Sequence, residues 1–438
     1  MAINTNECEQ YGLWANYGLR GNPFSPDPLQ AFGGELSIQT FFGREKEIKQ
    51  INNIILNNSQ SRILVNGNIG VGKTTFVNYV RALAFEKNHF TTIAEIGIQH
   101  DWNSEDFMQV TLSAVYTSIN RIKGIRNKFD KEFLEKLDVY FGTYRGSSQG
   151  ISGGVATISV GGEKGISYGA PAFNSFVMKD TLKEIVENLK KIGYVGMTIH
   201  YNNLELLNDK DEKNIIKLFN GIRDFLQTEG VHFIFVGDMT VSDMLQKVPR
   251  VDDIFYGPPV HMESFSFQDI CSILDKRIKE LSIGGKMTSE KPYSDEAIET
   301  LYKLYSGNVR AILKSLTTAI TALSVENKPI KLTPVPMGRA LRRIAEERYV
   351  SKLNQTEIKV LRQIIIKKET TNKLISEALR MKPQNISNAI TTLRQYNCIR
   401  LSRVEGRARY YVPSPEIRWL FFDVSTDGQK LLREFVSI

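Results

Sequence analysis

The chain has 438 residues, of which 42% are hydrophobic and 24% charged, and it contains 14 prolines. This composition is typical of a globular protein and excludes a fibrous repeat and wholesale disorder. No stretch approaches eighteen apolar residues, so we expect no membrane span. The cysteines Cys8, Cys271 and Cys398 are too widely spaced for a disulfide framework or a CxxC pair. The first thirty residues lack the apolar segment of a signal peptide, and together these features predict a reducing, cytoplasmic location.

Positive charge is concentrated at the C-terminal end of the chain. The 56 basic and 48 acidic residues give a net charge of +8. Residues 339–438 contain 20 Lys and Arg against 10 Asp and Glu, a local charge of +10, which leaves −2 for the first 338 residues. A near-neutral body with a basic terminal domain is typical of a nucleic-acid-binding module attached to another machine. A cationic surface without a partner is the alternative.

Residues 41–262 alternate short apolar runs with amphipathic stretches, which predicts a parallel sheet covered by helices on both faces. Residues 1–40, rich in Gly, Pro and Asn, are expected to form an irregular strap before this domain. A Gly-rich segment within the domain, residues 142–169, has nine glycines in 28 residues. It predicts either an exposed β-hairpin insertion or a flexible linker. Strands are expected at 61–66, 91–98, 195–201 and 231–236, and helices at 45–56, 74–85, 180–190 and 214–228, with two more between 105 and 141.

The remainder of the chain is mainly helical in pattern. Residues 263–332 carry three helical patterns, at 267–281, 294–306 and 309–324, and are expected to form an all-α lid. Residues 333–438 begin with a linker helix and continue with three short helices and a β-hairpin. That order is typical of a winged helix-turn-helix domain.

A phosphate-binding motif lies between the first strand and the helix that follows it. Residues 67–74 read GNIGVGKT, which satisfies GxxxxGK[ST] in the strand–loop–helix context that the motif requires. Its glycines let backbone N–H groups point at phosphates, Lys73 is suited to the β- and γ-phosphates, and the Thr74 hydroxyl is suited to Mg²⁺. We therefore expect ATP or ADP with Mg²⁺ to contact Gly67, Asn68, Gly70, Val71, Gly72, Lys73, Thr74 and Thr75.

The strand at 195–201 ends where a P-loop ATPase places acidic residues, the Walker B position. Here Asn202 and Asn203 occupy it. An amide can bind a metal-bound water but cannot act as a general base, so we expect slow hydrolysis unless Glu205 or a neighbouring subunit compensates. The alternative role of Glu205 is to cap the following helix or loop. Asp238, beyond the strand at 231–236, is placed to sense a γ-phosphate or to make an ordinary strand-end turn.

Taken in chain order, the motifs resemble those of AAA+ ATPases of the origin-recognition initiator type, and they are also similar to those of AAA+ transposition regulators. The resemblance covers roughly residues 20–415, and initiators usually read Asp-Glu-x-Asp where this chain reads Asn202-Asn203-Leu204-Glu205. The motifs are Asn22-Pro23-Phe24, Gly43-Arg44-Glu45, the P-loop, Asn202 to Glu205, Gly237-Asp238, Pro249-Arg250, Gly307-Asn308-Val309-Arg310 and the winged helix.

The resemblance implies roles for three arginines. Arg44 is expected beside the adenine, Arg250 at the γ-phosphate of the next subunit, and Arg310 on the lid as a nucleotide sensor. An ion pair with Asp252 or Asp253 is the alternative for Arg250, and a surface salt bridge is the alternative for Arg310. If Arg250 crosses a subunit boundary, the protein acts as a homo-oligomer or beside a related AAA+ subunit.

The C-terminal domain is predicted to bind double-stranded DNA. Polar residues on its third helix suit base edges and phosphates in a major groove, while Arg400, Arg403, Arg407 and Arg409 cluster on the predicted wing. Protein docking is the alternative use of a winged helix. The candidate DNA-binding residues are Asn385, Ser387, Asn388, Thr391, Arg394, Arg403, Arg407 and Arg409.

Two functions follow from the sequence. The first is an ATP-dependent, DNA-binding AAA+ switch, nucleoid-associated, in replication initiation or a mobile element, with Lys73, Glu205, Asp238 and Arg250 as candidate catalytic residues. The second is a signalling or antiviral-defence NTPase whose winged helix docks a protein. The fold class expected for both is an α/β P-loop AAA+ core with an all-α lid and a C-terminal winged helix.

Overall fold

The computed structural model describes most of the chain in seven stretches. The Gly-rich segment predicted at 142–169 lies outside them, as does Arg407. No helix in these stretches is long and apolar enough to cross a membrane. The described residues are 12–141, 174–209, 212–246, 249–285, 291–324, 329–405 and 408–421.

A parallel β-sheet forms the centre of the nucleotide-binding region. Its strand order is β2-β4-β5-β1-β6, with the two-residue β3 paired to the end of β4. Because every described pair in this sheet is parallel, the carboxyl ends of the strands meet at one edge, where ligands bind in open α/β sheets. The strands are β1 (Ser61–Gly67), β2 (His89–Thr91), β3 (Ile96–Gly97), β4 (Gly196–Asn202), β5 (Val231–Val236) and β6 (Val260–Met262).

Helices cover this sheet and bury its apolar strands in two clusters, one on either side of β5. The strand β5 reads VHFIFV and is buried along its whole length, as expected for a strand covered on both faces. The helices of this region are α1 (Glu45–Asn57), α2 (Lys73–Glu86), α3 (Ser104–Arg121), α4 (Lys131–Phe141), α5 (Ser175–Lys191), α6 (Glu212–Leu226), α7 (Met239–Gln246) and α8 (Pro249–Asp252).

Two details of the sheet differ from the sequence-based expectation. The single strand expected at 91–98 is two short strands, because side chains take over the backbone groups between them. The Arg81 side chain donates to the Thr92 carbonyl, and the Thr92 hydroxyl donates to the Ala94 carbonyl. The Ile93 N–H donates to Ser118 Oγ. The strand β6 was not expected, since three residues are too few to display a period of two.

The lid, the strap and the C-terminal domain share one hydrophobic core. The lid helices are α9 (Phe267–Leu281), α10 (Asp295–Tyr305) and α11 (Val309–Leu323). The buried Arg277 of α9 holds the strap by donating to the carbonyls of Pro23 and Ser25. At the other end of this core, the buried Trp419 donates its indole N–H to Tyr305 Oη at 2.5 Å. The lid is therefore packed against both the strap and the C-terminal domain.

The C-terminal domain has the predicted winged-helix order. Its three-stranded antiparallel sheet has the order β7-β9-β8, and a 3₁₀ helix, Pro415–Phe421, returns to the lid. The expected fold class, an α/β P-loop core with a helical lid and a winged helix, is confirmed. The elements are α12 (Pro334–Tyr349), α13 (Gln355–Lys367), β7 (Thr370–Thr371), α14 (Asn372–Leu379), α15 (Pro383–Gln395), β8 (Ile399–Glu405) and β9 (Ala408–Pro413).

Candidate nucleotide-binding site

The P-loop joins β1 to α2 at the carboxyl edge of the sheet. Gly67, Gly70 and Gly72 have φ values of +149°, +85° and +90°, which L side chains rarely adopt. A Cβ on Gly67 would lie 2.5 Å from the Met262 carbonyl oxygen of β6. The glycines are thus required by both conformation and space, and the loop keeps a backbone-lined hollow of the kind that cradles phosphates.

Lys73, the first residue of α2, points back into this loop. Its Nζ donates to the carbonyl oxygens of Gly67 at 2.7 Å and Asn68 at 3.0 Å. Burial lowers the pKa of Lys73, while the carboxylates of Glu205 and Asp238 act in the opposite direction. A half-buried ammonium beside the loop is the charge that a phosphate chain requires.

The Walker B position lies beside the P-loop threonine. Asn202 Oδ1 accepts a hydrogen bond from Thr74 Oγ1 at 3.3 Å, so the two groups expected at the metal are adjacent. Asn203 is exposed and adopts a left-handed conformation, with φ of +64°. No cluster of three His, Cys, Asp or Glu side chains suited to a metal occurs in the described stretches. The oxygen groups of Thr74 and Asn202 nevertheless fit Mg²⁺ bound largely by water and phosphate.

Glu205 lies close enough to Lys73 for their charges to interact. Its Oε2 atom is buried and has no hydrogen-bond partner among the described residues. Burial raises the pKa of Glu205, while Lys73 and Arg310 act to lower it. A carboxylate with an unused buried oxygen and a raised pKa has the properties of a general base.

Asp238 has a local structural contact as well as an electrostatic one. Its Oδ1 accepts from the Val241 N–H at 3.0 Å, at the start of α7, and its charge acts on Lys73. The turn role and the proximity to the P-loop are therefore both present.

The lid contacts the P-loop through its last helix. Asn308, which precedes α11, accepts from the Ala311 N–H at 3.1 Å and caps the helix. The same side chain donates through Nδ2 to the Ile69 carbonyl oxygen at 2.8 Å, and the Arg310 N–H donates to the Gly70 carbonyl at 3.2 Å. Sequence reasoning selected Arg310 from this motif and missed Asn308, although an Asn before a helix is a capping signal.

Arg44 supports the loop from the other side. It has φ of +70°, and its guanidinium lies 4.0 Å from the centroid of the Phe265 ring. It donates to the carbonyl oxygens of Glu263 and Val71, the latter at 3.5 Å, and burial lowers its pKa. Its donors are therefore directed at backbone carbonyls and at Glu47, whose Oε1 lies 3.5 Å from Nη1. Phe265, on which it stacks, lines the neighbouring cavity.

A small cavity of about 60 Å³ extends from the P-loop towards the strap and lid. One wall is apolar and contains Phe41, Phe42 and Leu313, which suits a flat base, whereas Arg310 stands at the phosphate end. Thr75 Oγ1 accepts from the Leu29 N–H at 3.3 Å and so ties the strap to α2. The apolar wall and the P-loop together fit a nucleoside di- or triphosphate. Val71 is buried behind the loop.

Arg250 lies in the short helix α8, and its side chain is outside what the structure describes. The expected contact across a subunit boundary therefore stays a prediction.

The polar face of α15 is open to solvent in the C-terminal domain. Asn385, Asn388, Thr391 and Arg394 are exposed, as is Arg409 on β9. Ser387 is half-buried and accepts from Asn372 Nδ2 at 3.2 Å, which directs it inwards.

Arg403 of β8 is already paired. Its guanidinium lies 3.0 Å from Glu369 Oε2, contacts Glu405, and stacks 3.9 Å from the centroid of the Tyr410 ring. Next to it, the Ser402 carbonyl accepts from Thr240 Oγ1 of α7 at 3.4 Å. The wing thus contacts the nucleotide-binding region, and the charge of Arg403 is balanced by the carboxylates of Glu369 and Glu405.

Comparison with known proteins found no matching family model and no match among curated proteins. Solved structures similar to this chain include the ORC2 protein of Aeropyrum pernix in ADPNP–ADP complexes, with 13% identity over 94% of this chain and 97% of that chain and a TM-score of 0.47. A Walker-type ATPase of Pyrococcus abyssi has 12% identity over 94% and 99%, with a TM-score of 0.48. The Aeropyrum pernix ORC1 protein in complex with DNA has 15% identity over 95% and 97%, with a TM-score of 0.45.

Proposed function

We propose that this chain is an ATP-binding AAA+ switch that couples nucleotide state to DNA binding. The observation that carries the proposal is the P-loop with Lys73 hydrogen-bonded to its carbonyls and the lid residue Asn308 hydrogen-bonded to its apex at Ile69. A phosphate chain in this loop would exchange the two loop carbonyls at Lys73 for charged oxygens. The same chain would attract Arg310, so that nucleotide state is sensed by the lid.

The site favours binding over rapid hydrolysis. Asn202 supplies an amide where a carboxylate would strengthen the hold on Mg²⁺, whose role is to neutralise phosphate charge. Glu205, with its buried and unpartnered Oε2 among the described residues, is able to accept a proton from water at this edge of the sheet. We propose that it acts as a slow general base and that Asp238 assists in sensing the γ-phosphate.

The proposed DNA surface is the exposed polar face of α15 together with Arg409. These side chains are free to face a groove, whereas Arg403 is held by carboxylates. A replication-initiator-like or mobile-element role is the leading assignment, because the chain combines this surface with an ATP site and a local excess of basic residues.

Replacement of the P-loop lysine tests the nucleotide site. Lys73→Ala is expected to abolish ATP binding measured by calorimetry, since no other described cation occupies the loop. Lys87→Ala, an exposed lysine directly after α2, is the matched control and should bind as the parent does. Undiminished ATP binding by Lys73→Ala would refute the assignment.

The salt dependence of DNA affinity tests the second half of the proposal. Duplex affinity should fall steeply with salt, and the double change Arg394→Ala and Arg409→Ala should reduce both the affinity and the salt slope. Arg121→Ala, an exposed arginine at the end of α3, is the matched control. Affinity and salt slope unchanged in the double variant would remove this surface from consideration.

One observation favours a second candidate, a signalling or antiviral-defence NTPase whose winged helix docks a protein. The wing contacts α7 through Ser402 and Thr240, and the charge of Arg403 is neutralised within the protein. Nucleotide binding without any salt-dependent DNA binding would select this candidate over the first.

We also propose that the working form is an oligomer, of this chain or with a related AAA+ subunit, with Arg250 contributing to a neighbour's nucleotide site. ATP-dependent assembly measured by sedimentation tests it. Arg250→Ala should bind ATP normally and lose only the stimulation of hydrolysis on assembly, whereas full stimulation in this variant would contradict the proposal.

A further inference from the structure

A second cavity lies beside the apex of the P-loop and shares Gly70 and Arg310 with the lining of the nucleotide cavity. Its volume is about 350 Å³, and it is walled by the loop apex, the start of α11, the end of α12, the base of β8 and the 3₁₀ helix after β9. Tyr305 and Tyr349, both buried, contribute to its lining. Three parts of the protein therefore converge here: the P-loop, the lid and the winged helix.

The cavity is strongly cationic. Arg310, Lys314, Arg348 and Arg400 line it, and Glu416 is the single carboxylate among its lining residues, so four cations against one carboxylate leave three positive charges in excess. The carboxylate is already used, because Glu416 Oε1 lies 2.5 Å from Lys314 Nζ. The excess charge is thus carried by the three arginines.

These arginine side chains lack partners within the described part of the chain. Neither Arg310 nor Arg400 makes a side-chain hydrogen bond or ion pair there, and the contact made by Arg348 is with the ring of its neighbour Tyr349, at 5.3 Å from the centroid. Arg400 is half-buried, and burial lowers its pKa. The charge of Arg310 lowers this pKa further, whereas Glu416 raises it. Arg310 and Arg348 are exposed, so the cost falls on the half-buried Arg400, whose guanidinium is repelled by that of Arg310 unless an anion joins them.

The chemistry of the lining selects the anion. Guanidinium groups bind phosphate through paired hydrogen bonds, and several converging on one cavity match a ligand with several phosphate oxygens. A volume of about 350 Å³ suits a small molecule. A stiff DNA duplex cannot enter a cavity enclosed by elements from the loop, lid and winged helix.

We propose that this cavity binds a compact polyphosphate anion, such as the phosphate chain of a small molecule, at a site distinct from the nucleotide cavity. The two sites share Arg310, which lines both cavities. An anion in the second site competes with a γ-phosphate for this side chain. By linkage, each ligand then weakens the binding of the other, more so for ATP than for ADP.

The test uses full-length protein saturated with Mg-ADP, so that the P-loop is filled, and titrates it with inorganic tripolyphosphate by calorimetry. One further binding event is expected. Arg348→Gln with Arg400→Gln should weaken it by at least about tenfold, because two charge-assisted contacts are lost, while ADP affinity is unchanged. Arg343→Gln, an exposed arginine on the same helix paired with Glu347, is the matched control and should bind tripolyphosphate as the parent does.

Three results would overturn the proposal. The first is that ADP-loaded protein does not bind tripolyphosphate, and the second is that the double variant binds it as strongly as the parent does. The third is duplex DNA binding that depends on Arg348 and Arg400 without tripolyphosphate binding, which would assign the cations to nucleic acid. Arg348→Gln alone, a change at an exposed position, provides the same comparison if the change at the half-buried Arg400 impairs folding. Because ADP binding is measured separately, failure here leaves the nucleotide-site proposal intact.

Discussion

Asn308 offers a direct measure of how far the lid controls the nucleotide site. Its side chain makes two contacts of different kinds, a helix cap at Ala311 and a bridge to the P-loop at Ile69. A lost cap costs about 1 kcal/mol, and a lost neutral hydrogen bond also costs about 1 kcal/mol. Asn308→Ala should therefore lower the free energy of unfolding by about 2 kcal/mol. Asn308→Ser retains a capping oxygen and loses only the bridge.

The effect on ATP follows from the bridge alone. If nucleotide binds the docked arrangement of lid and loop, loss of about 1 kcal/mol of docking free energy weakens ATP binding up to about fivefold in Asn308→Ser. Ser294→Ala removes the cap of α10 without touching the P-loop, so it should lose stability and keep its ATP affinity. Fluorescent-nucleotide titration and thermal melting give the two readouts. Parental ATP affinity in Asn308→Ser, or an equal loss in Ser294→Ala, would refute this reasoning.

Three further predictions concern the chemistry of the site and its support. Wild-type ATP turnover should be far below the usual range of about 1–10³ s⁻¹, and Asn202→Asp should raise the rate of phosphate release. Adding Asn203→Glu should raise that rate further. The second change should also cost about 1 kcal/mol of stability, since Glu is disfavoured at a φ of +64°. Fast wild-type hydrolysis would contradict this. Glu205→Gln should abolish hydrolysis but not ATP binding. Burial raises the pKa of Glu205 above 4.5, so the neutral carboxyl stabilises the fold below that pH, and this contribution is lost as the pH rises through the folded-state pKa. Glu205→Gln should therefore have a higher melting temperature than the parent at pH 7 and the same melting temperature at pH 4. Equal melting at both pH values would dispute the burial of that carboxyl. Arg44→Lys should lower the free energy of unfolding by about 2 kcal/mol, since an ammonium cannot both stack on an aromatic ring and reach two carbonyls. Denaturant unfolding measures this, and an unchanged free energy would show that Arg44 does not support the loop.

Much of the fold could be predicted from the sequence because its signals are local. The P-loop requires glycines at fixed positions, and the strand and helix on either side of it have clear patterns. The lid helices carry amphipathic stripes, and their observed bounds lie within a residue of the expected ones. The linker helix α12 starts at Pro334. A proline is well tolerated there, since the first turn of a helix needs no donor.

What the sequence could not provide depends on tertiary packing. The contact of Asn308 with the P-loop joins residues far apart in the chain, and no local pattern encodes it. Arg400 belongs by sequence to the arginines of the wing, yet it lines a cavity beside the P-loop apex because Trp419 anchors the end of the domain to the lid. Arg403 likewise reads as a free cation in the sequence, and its pairing with Glu369 is visible only in the fold.

The single core shared by the strap, lid and C-terminal domain has a mechanical consequence. With Trp419 hydrogen-bonded to Tyr305 inside that core, we expect the lid and the winged helix to move together relative to the P-loop. The hydrogen bond between Thr240 and the Ser402 carbonyl joins the winged helix to the nucleotide-binding region. If the lid tilts when the nucleotide changes, this bond is expected to break and α15 to shift, so that loss of one phosphate would displace the surface proposed to bind DNA.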